Sequence, residues 1–176
     1  LKTPLIAGYS FKGGMGRSTN LAYLSLFFSF QKKKIVVFDF DFEAPGITTF
    51  FFNAKERVNS EGLVDCITQL NIDEKINPAD YLLQLAPDKL TGVGSLYLFP
   101  TGIDHKPEHY LDKLSKIDFD TSYFKEVILK ILKKIEESLS PDLFIIDLRA
   151  GIHESNGFIL NELSDLNFLF FNDFAR

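Results

Sequence analysis

The chain has no tryptophan, one cysteine and one methionine among its 176 residues. A lone cysteine, Cys66, rules out a disulfide framework within the chain and fits a reducing compartment. A cytoplasmic location is therefore expected. Basic charge is also scarce: 19 Lys and Arg stand against 24 Asp and Glu, for a net charge of −5. No basic stripe results, so direct nucleic-acid binding by this segment has little electrostatic support. The one basic cluster, Lys32-Lys33-Lys34, falls between an expected helix and an expected strand and reads as a solvated helix end. Long hydrophobic runs are missing as well. The longest apolar-looking stretch, Leu21 to Phe30, is too short to span a bilayer and contains Ser25 and Ser29. There is no signal-peptide pattern, no internal repeat and no linker. The length suits a single domain over residues 1–176. Because the chain starts at Leu1 rather than Met and stops just after an apolar run, it is expected to be a fragment truncated at its C-terminus.

Phenylalanine, by contrast, is abundant, with 19 copies. They are expected to fill core positions rather than to form an aromatic binding surface. Strands are expected at Leu5 to Ser10, Ile35 to Phe40, Ser95 to Phe99, Leu143 to Ile146 and Phe168 to Phe171. Helices are expected at Arg17 to Gln31, Ile47 to Phe52, Gly62 to Leu70, Glu108 to Leu114, Ser122 to Leu139 and Ser155 to Leu163. Phe124, Val127, Ile128, Ile131, Leu132, Ile135 and Leu139 recur at helical spacing, which makes the segment from Ser122 an amphipathic helix. Periodicity does not decide between a strand and a helical turn at Tyr81 to Leu85. Thr91-Gly92-Val93-Gly94 reads as a flexible loop. Short, wholly apolar strands separated by helices predict an α/β fold with a mainly parallel sheet flanked by helices on both faces.

The most informative stretch is Phe11-Lys12-Gly13-Gly14-Met15-Gly16-Arg17-Ser18-Thr19. A strand, then glycines, then a helix start is the physical recipe for holding a phosphate chain: curled backbone points its N–H groups inward and the helix N-terminus adds partial positive charge. Ser18 stands where a P-loop hydroxyl ligates Mg²⁺, and Lys12 and Arg17 add full charge. The ordinary pattern G-x-x-x-x-G-K-[ST] is broken twice, by Phe11 and by Arg17.

Acids stand at the carboxyl ends of two strands, where parallel sheets gather their ligands. Asp39 and Asp41 are two apart, which puts both side chains on one side of an extended chain. Asp147 follows the strand at Leu143 to Ile146. A nucleoside triphosphate with Mg²⁺ uses all of these groups. Asp147 would hold the metal, and one of Asp39 and Asp41 would orient the attacking water while the other supports the magnesium shell. Arg149 is expected to pair with Asp147 or with a surface acid rather than to serve as an arginine finger. His105-Lys106-Pro107-Glu108-His109 fits the zinc-protease pattern H-x-x-E-H, but Pro107 should start a helix rather than sit inside one, so no zinc site is expected.

The loop Lys12-Gly13-Gly14-Met15-Gly16-Arg17-Ser18 resembles the deviant Walker A motif of ParA/MinD-type P-loop ATPases, in the subgroup that carries K-G-G-V-G-R. Asp39-Phe40-Asp41-Phe42-Glu43-Ala44-Pro45-Gly46 is similar to that subgroup's D-x-D-x-E-A-P-G. Phe99-Pro100-Thr101-Gly102 and Ile145-Ile146-Asp147-Leu148-Arg149-Ala150-Gly151 resemble its P-A-G and I-D-S-R-T-G segments. The resemblance runs in the right order from Leu5 to Asn172. It implies a P-loop NTPase three-layer sandwich that binds ATP and Mg²⁺ through residues 12–19, closes into a nucleotide-sandwich homodimer, and slowly hydrolyses ATP as a switch. By the same resemblance Lys12 reaches the partner's phosphates, Ser18 and Asp147 serve the metal, Thr19 lies near the α-phosphate, and Asp41 positions water. Arg17 in place of the loop lysine keeps the charge in a larger, planar group, which points to altered nucleotide binding. Leu148 and Ala150 replace the hydroxyl residues of S-R-T-G. A catalytically weak nucleotide sensor in a signalling or defence protein is the second reading. A partitioning or cell-division positioning ATPase is the third.

Overall fold

The computed structural model describes residues 1–52, 61–70, 72–85, 94–102, 107–119 and 122–171. Among these, six strands form one sheet: β1 (Leu5–Ser10), β2 (Lys34–Phe40), β3 (Leu83–Gln84), β4 (Ser95–Phe99), β5 (Leu143–Leu148) and β6 (Leu166–Phe170). Their order is β3-β4-β2-β5-β1-β6. All neighbours run parallel except the two-residue β3, which pairs antiparallel with β4. The ambiguity at Tyr81 to Leu85 resolves into both alternatives, because a 3₁₀ turn at Pro78–Tyr81 leads directly into β3.

The helices are α1 (Arg17–Phe30), α2 (Gly46–Phe51), α3 (Leu63–Leu70), α4 (Pro107–Ser115), α5 (Ser122–Leu139) and α6 (Glu154–Phe158), the last continuing into a π turn at Ile159–Leu163. Pro107 opens α4, as its fixed φ and missing N–H favour. Residues 105 and 106 of the H-x-x-E-H match lie outside the described residues, as do residues 91–93 of the expected glycine loop.

Alternation along the strands splits the core in two. Leu5, Ala7, Val36, Phe38, Phe144, Ile146 and Leu148 face α3, α5 and α6. Ile6, Ile35, Val37, Leu143 and Ile145 face α1 and α2. This is a three-layer α/β sandwich, and it fixes the site, since Asp39, Asp41 and Asp147 share the odd parity of the α1 side. The helical spacing on α5 is realised: Phe124, Val127, Ile128, Ile131, Leu132 and Ile135 are all buried.

Phe38, Phe99, Phe124 and Phe144 fill the centre, but Phe11, Phe27, Phe30 and Phe50 are exposed, so phenylalanine is not confined to the core. Strand β6 also departs from expectation. It is wholly apolar apart from Asn167, yet Leu166, Phe168 and Leu169 are exposed, because it is an edge strand paired only through β1 among the described residues. No helix among the described residues is long and apolar enough to cross a membrane.

Candidate functional site

The loop from Phe11 to Gly16 leaves the carboxyl end of β1 and delivers the chain to α1. Gly14 and Gly16 adopt φ of +76° and +75°, a backbone that side chains rarely tolerate. Gly16 is the N-cap of α1, and no side chain caps the helix. Its first-turn amides therefore remain available to an anion. Gly13 and Gly14 form the turn of the loop. A hollow of about 430 Å³ lies over this surface, lined by the loop, Ser10, Arg17, Ser18, Thr19, Asp41, Ala44 and Ala150. Lys12 is exposed and is not among the residues that line the hollow.

Strand register brings the acids together. Asp39 on β2 lies opposite Asp147 on β5. Both are fully buried, and Asp41 nearly so. The chain turns at Pro45, and Gly46 passes so close to α1 that an added Cβ would stand 2.8 Å from Ser18 Oγ. The segment after Asp41 thus abuts the Ser18 hydroxyl.

The three acids have different surroundings. Asp39 is turned to α2: its Oδ2 accepts from Thr48 N at 3.1 Å and from Thr48 Oγ1 at 2.6 Å, and its Oδ1 accepts from Asp41 N at 3.2 Å. Burial, reinforced by the Asp147 charge, raises its pKa to about 7. Asp41 Oδ1 accepts from Ala44 N at 3.2 Å, fixing the turn that follows. Asp147 Oδ1 accepts from Arg17 Nε, while its Oδ2 is buried with no hydrogen-bond partner. Burial pushes the Asp147 carboxyl up and the Arg17 charge opposes it.

Arg17 joins these groups. Besides Asp147, its Nη2 lies 3.2 Å from Asp41 Oδ2 and 3.5 Å from Ser18 Oγ, and its Nη1 lies 3.3 Å from Ser10 Oγ. Only 7% of the residue is exposed. The residue at the P-loop lysine position therefore points into the acid rim.

Mg²⁺ fits the residues present. Ser18 Oγ lines the hollow, and the buried Asp147, bonded to Arg17 of that lining, keeps Oδ2 without a hydrogen-bond partner; both are hard oxygen donors, and Mg²⁺ commonly takes only one or two protein ligands beside water and phosphate. A cage of protein ligands is not needed, and no cluster of three or more acids, histidines or cysteines suited to a metal occurs among the described residues.

Further contacts hold the rim. Arg149 pairs with Glu43, a surface acid, across the two segments that follow β2 and β5. Gly151 N donates to Ser10 O at 3.1 Å. Asn156 Nδ2 donates to Arg149 O at 2.9 Å and to Gly151 O at 3.1 Å, so α6 carries the clamp for the loop after Asp147. On the far side, Leu63 N and Val64 N donate to Pro100 O and Thr101 O at 2.8 and 3.0 Å. That contact requires the missing side chain of Gly62, whose Cβ would stand 2.2 Å from Gly102 N.

Sequence reasoning missed Ser10, Thr48 and Asn156. The position of Ser10 at the last residue of β1 was a usable signal. A threonine in the first turn of α2 offered a weaker one. Nothing in the local pattern marks Asn156.

No family model and no curated protein matches the chain. Solved structures do. The chain superimposes on a ParA family ATPase from Chlorobium tepidum TLS with a TM-score of 0.64 at 17% identity, covering 93% of this chain and 59% of that one. A putative plasmid partition protein from Borrelia burgdorferi B31, bound to AMPPNP, gives 0.69 at 19% identity over 96% and 61%. The septum site-determining protein MinD from Pyrococcus horikoshii OT3, complexed with Mg-ADP, gives 0.64 at 22% identity over 96% and 57%. At such identities the likeness is one of fold, so the chain has the P-loop fold of ParA/MinD-type ATPases. It spans between 57% and 61% of the length of these proteins.

Proposed function

We propose that the chain is a nucleotide-binding switch domain that takes ATP with Mg²⁺ in the hollow over residues 12–19 and hydrolyses it slowly to ADP and phosphate. The observation that carries this reading is the joint placement of an uncapped helix start that carries Ser18, a left-handed glycine loop before it, and buried aspartates at the ends of the parallel strands β2 and β5. The fold likeness to proteins solved with AMPPNP and with Mg-ADP supports it.

In this reading the amides of Gly13 to Thr19 bind the phosphates, and Ser18 and Asp147 hold the metal. Asp39 supports the shell from behind through its β-sheet register with Asp147. Asp41, held by Ala44 N, orients the attacking water. Bound Mg²⁺ would neutralise charge that develops on the phosphate oxygens. Lys12, which does not line its own hollow, neutralises the nucleotide of a second copy in a nucleotide-dependent homodimer. The domain is part of a larger bacterial polypeptide whose other segments receive the switch. Light scattering tests the dimer: Lys12→Ala is expected to weaken ATP-dependent association at least tenfold, and association equal to the parent defeats the in-trans role.

A sensor that binds without turnover is favoured by one feature, the engagement of Asp41 by Arg17. Phosphate release by the full-length protein separates the two readings. Steady turnover abolished by Asp41→Ala identifies the enzyme, and nucleotide binding without release identifies the sensor.

A further inference from the structure

Arg17 holds the place that a divalent cation would need. Its guanidinium lies among Ser18 Oγ, Asp41 Oδ2 and Asp147 Oδ1, and these oxygens would otherwise face a metal. A buried guanidinium and Mg²⁺ cannot share this space, because two cations a few ångströms apart repel strongly where little water screens them. The fit also differs from that of an ordinary P-loop lysine. An ammonium is a compact charge that makes one cluster of contacts, whereas the planar fork of arginine bridges acids from two separate strands at once. Here it ties the end of β2, through Asp41, to the end of β5, through Asp147. Both segments lead onward into the Glu43–Arg149 pair.

We propose that Arg17 is an internal counter-ion for the metal site, and that divalent-cation binding proceeds by exchange: phosphate entering the hollow draws the guanidinium off Asp147 and Asp41, and the vacated carboxylate then accepts the metal. This rests on the nucleotide reading above and adds its regulation. The site is closed to Mg²⁺ alone. Engagement of the phosphate frees Asp41 for its water and releases the segments after β2 and β5 together. The exchange is one of ion partners, and no covalent bond changes. Two features fit the role. The Asp147 oxygen that Arg17 does not touch has no hydrogen-bond partner, so a donor stands ready for the metal once the guanidinium leaves. Gly46 against Ser18 ensures that movement of the metal-side hydroxyl is felt by the segment following Asp41.

The test is ¹⁵N NMR of the guanidinium Nε–H groups in the full chain, with Arg17 assigned by loss of its signal in Arg17→Lys. Binding of a fluorescent non-hydrolysable ATP analogue is followed in parallel. Addition of the analogue with Mg²⁺ is expected to shift the Arg17 signal by more than a line-width and to speed its exchange with water. Mg²⁺ alone is expected to leave it in place. Analogue binding with an unmoved Arg17 signal, or displacement by Mg²⁺ alone, overturns the exchange while leaving the nucleotide reading intact. No analogue binding removes both. A second measurement uses Mn²⁺ and electron paramagnetic resonance. Arg17→Gln is expected to bind Mn²⁺ without nucleotide at least tenfold more tightly than the parent, and Asp147→Asn in the same background is expected to abolish the gain. Equal Mn²⁺ affinity in the parent and in folded Arg17→Gln counts against the proposal. If Arg17→Gln does not fold, the NMR result on the parent decides.

Discussion

The glycine loop and the acid rim face each other across one hollow, and they are built in opposite ways. The loop from 11 to 16 is mostly exposed and presents backbone rather than side chains. The rim is buried: Arg17 bonds Asp41, Asp147, Ser10 and Ser18, and Asp39 accepts from Thr48 and from the Asp41 amide. One side of the hollow is thus left open for a ligand, while the other is already engaged by the protein except at Asp147 Oδ2. Changes in the loop should alter binding and spare stability, whereas changes in the rim should alter both.

The sharpest way to break this contrast is Arg17→Ala. It strands Asp41 and Asp147 as buried charges without their counter-ion, and loss of one partner of such a pair costs about 3–5 kcal/mol. Denaturant unfolding at neutral pH reads the loss, and an unchanged midpoint would mean that the rim is wetter than its burial implies.

Asp39 gives the next largest effect, through pH. Its pKa is raised in the folded chain from 3.8 to about 7, so between those values the folded state keeps a proton that the unfolded chain has released. Stability must therefore fall as pH rises from about 4 to about 7, by up to a few kcal/mol, and level off above. Asp39→Asn has no such proton to lose. Its stability, compared with the parent by denaturant melts at pH 5 and pH 7.5, is expected to decline less; parallel pH profiles would contradict the burial argument.

Asn156→Ala is smaller. Two carbonyls of the loop after β5 lose their shared donor, for about 1–3 kcal/mol. Hydrogen exchange should localise the loosening to residues 149–151, and a global change without that focus would argue against a clamp. At the loop, Gly13→Ala should move stability by no more than about 0.5 kcal/mol, because an added Cβ meets nothing within 4 Å. The same methyl intrudes on the phosphate path, so ATP affinity should drop several-fold in fluorescence titration; unaltered affinity would move the ligand away from these amides.

The sequence made five of the six described strands legible because each is a short, mostly apolar run with a clear end, whereas the two-residue β3 carries no such pattern. It also made the grouping of Asp39, Asp41 and Asp147 legible, since position at strand termini and a spacing of two are local signals. Strand ends were less exact: β5 extends to Leu148, so Asp147 lies within the strand rather than after it. The expected helix from Ser155 is an α turn passing into a π turn, a change of pitch that side-chain pattern does not encode. The role of Arg17 was out of reach, because its partners lie 24 and 130 residues away and only parallel pairing of β2 with β5 brings them together. Spacing leaves Asp39 and Asp41 interchangeable between the water and the magnesium shell, and it does not foretell that both oxygens of Asp39 accept from Thr48 and from the amide of Asp41. A carboxylate's position can be read from spacing, but its partners depend on what a neighbouring helix brings to it.

The near-contact of Gly46 with Ser18 has a consequence for how this molecule can vary over time. At position 46 even a single methyl would press the start of α2 against the Ser18 hydroxyl on α1. The tolerance of that turn is set by an atom 28 residues earlier in the chain, so inheritance at one position is mortgaged to geometry at the other.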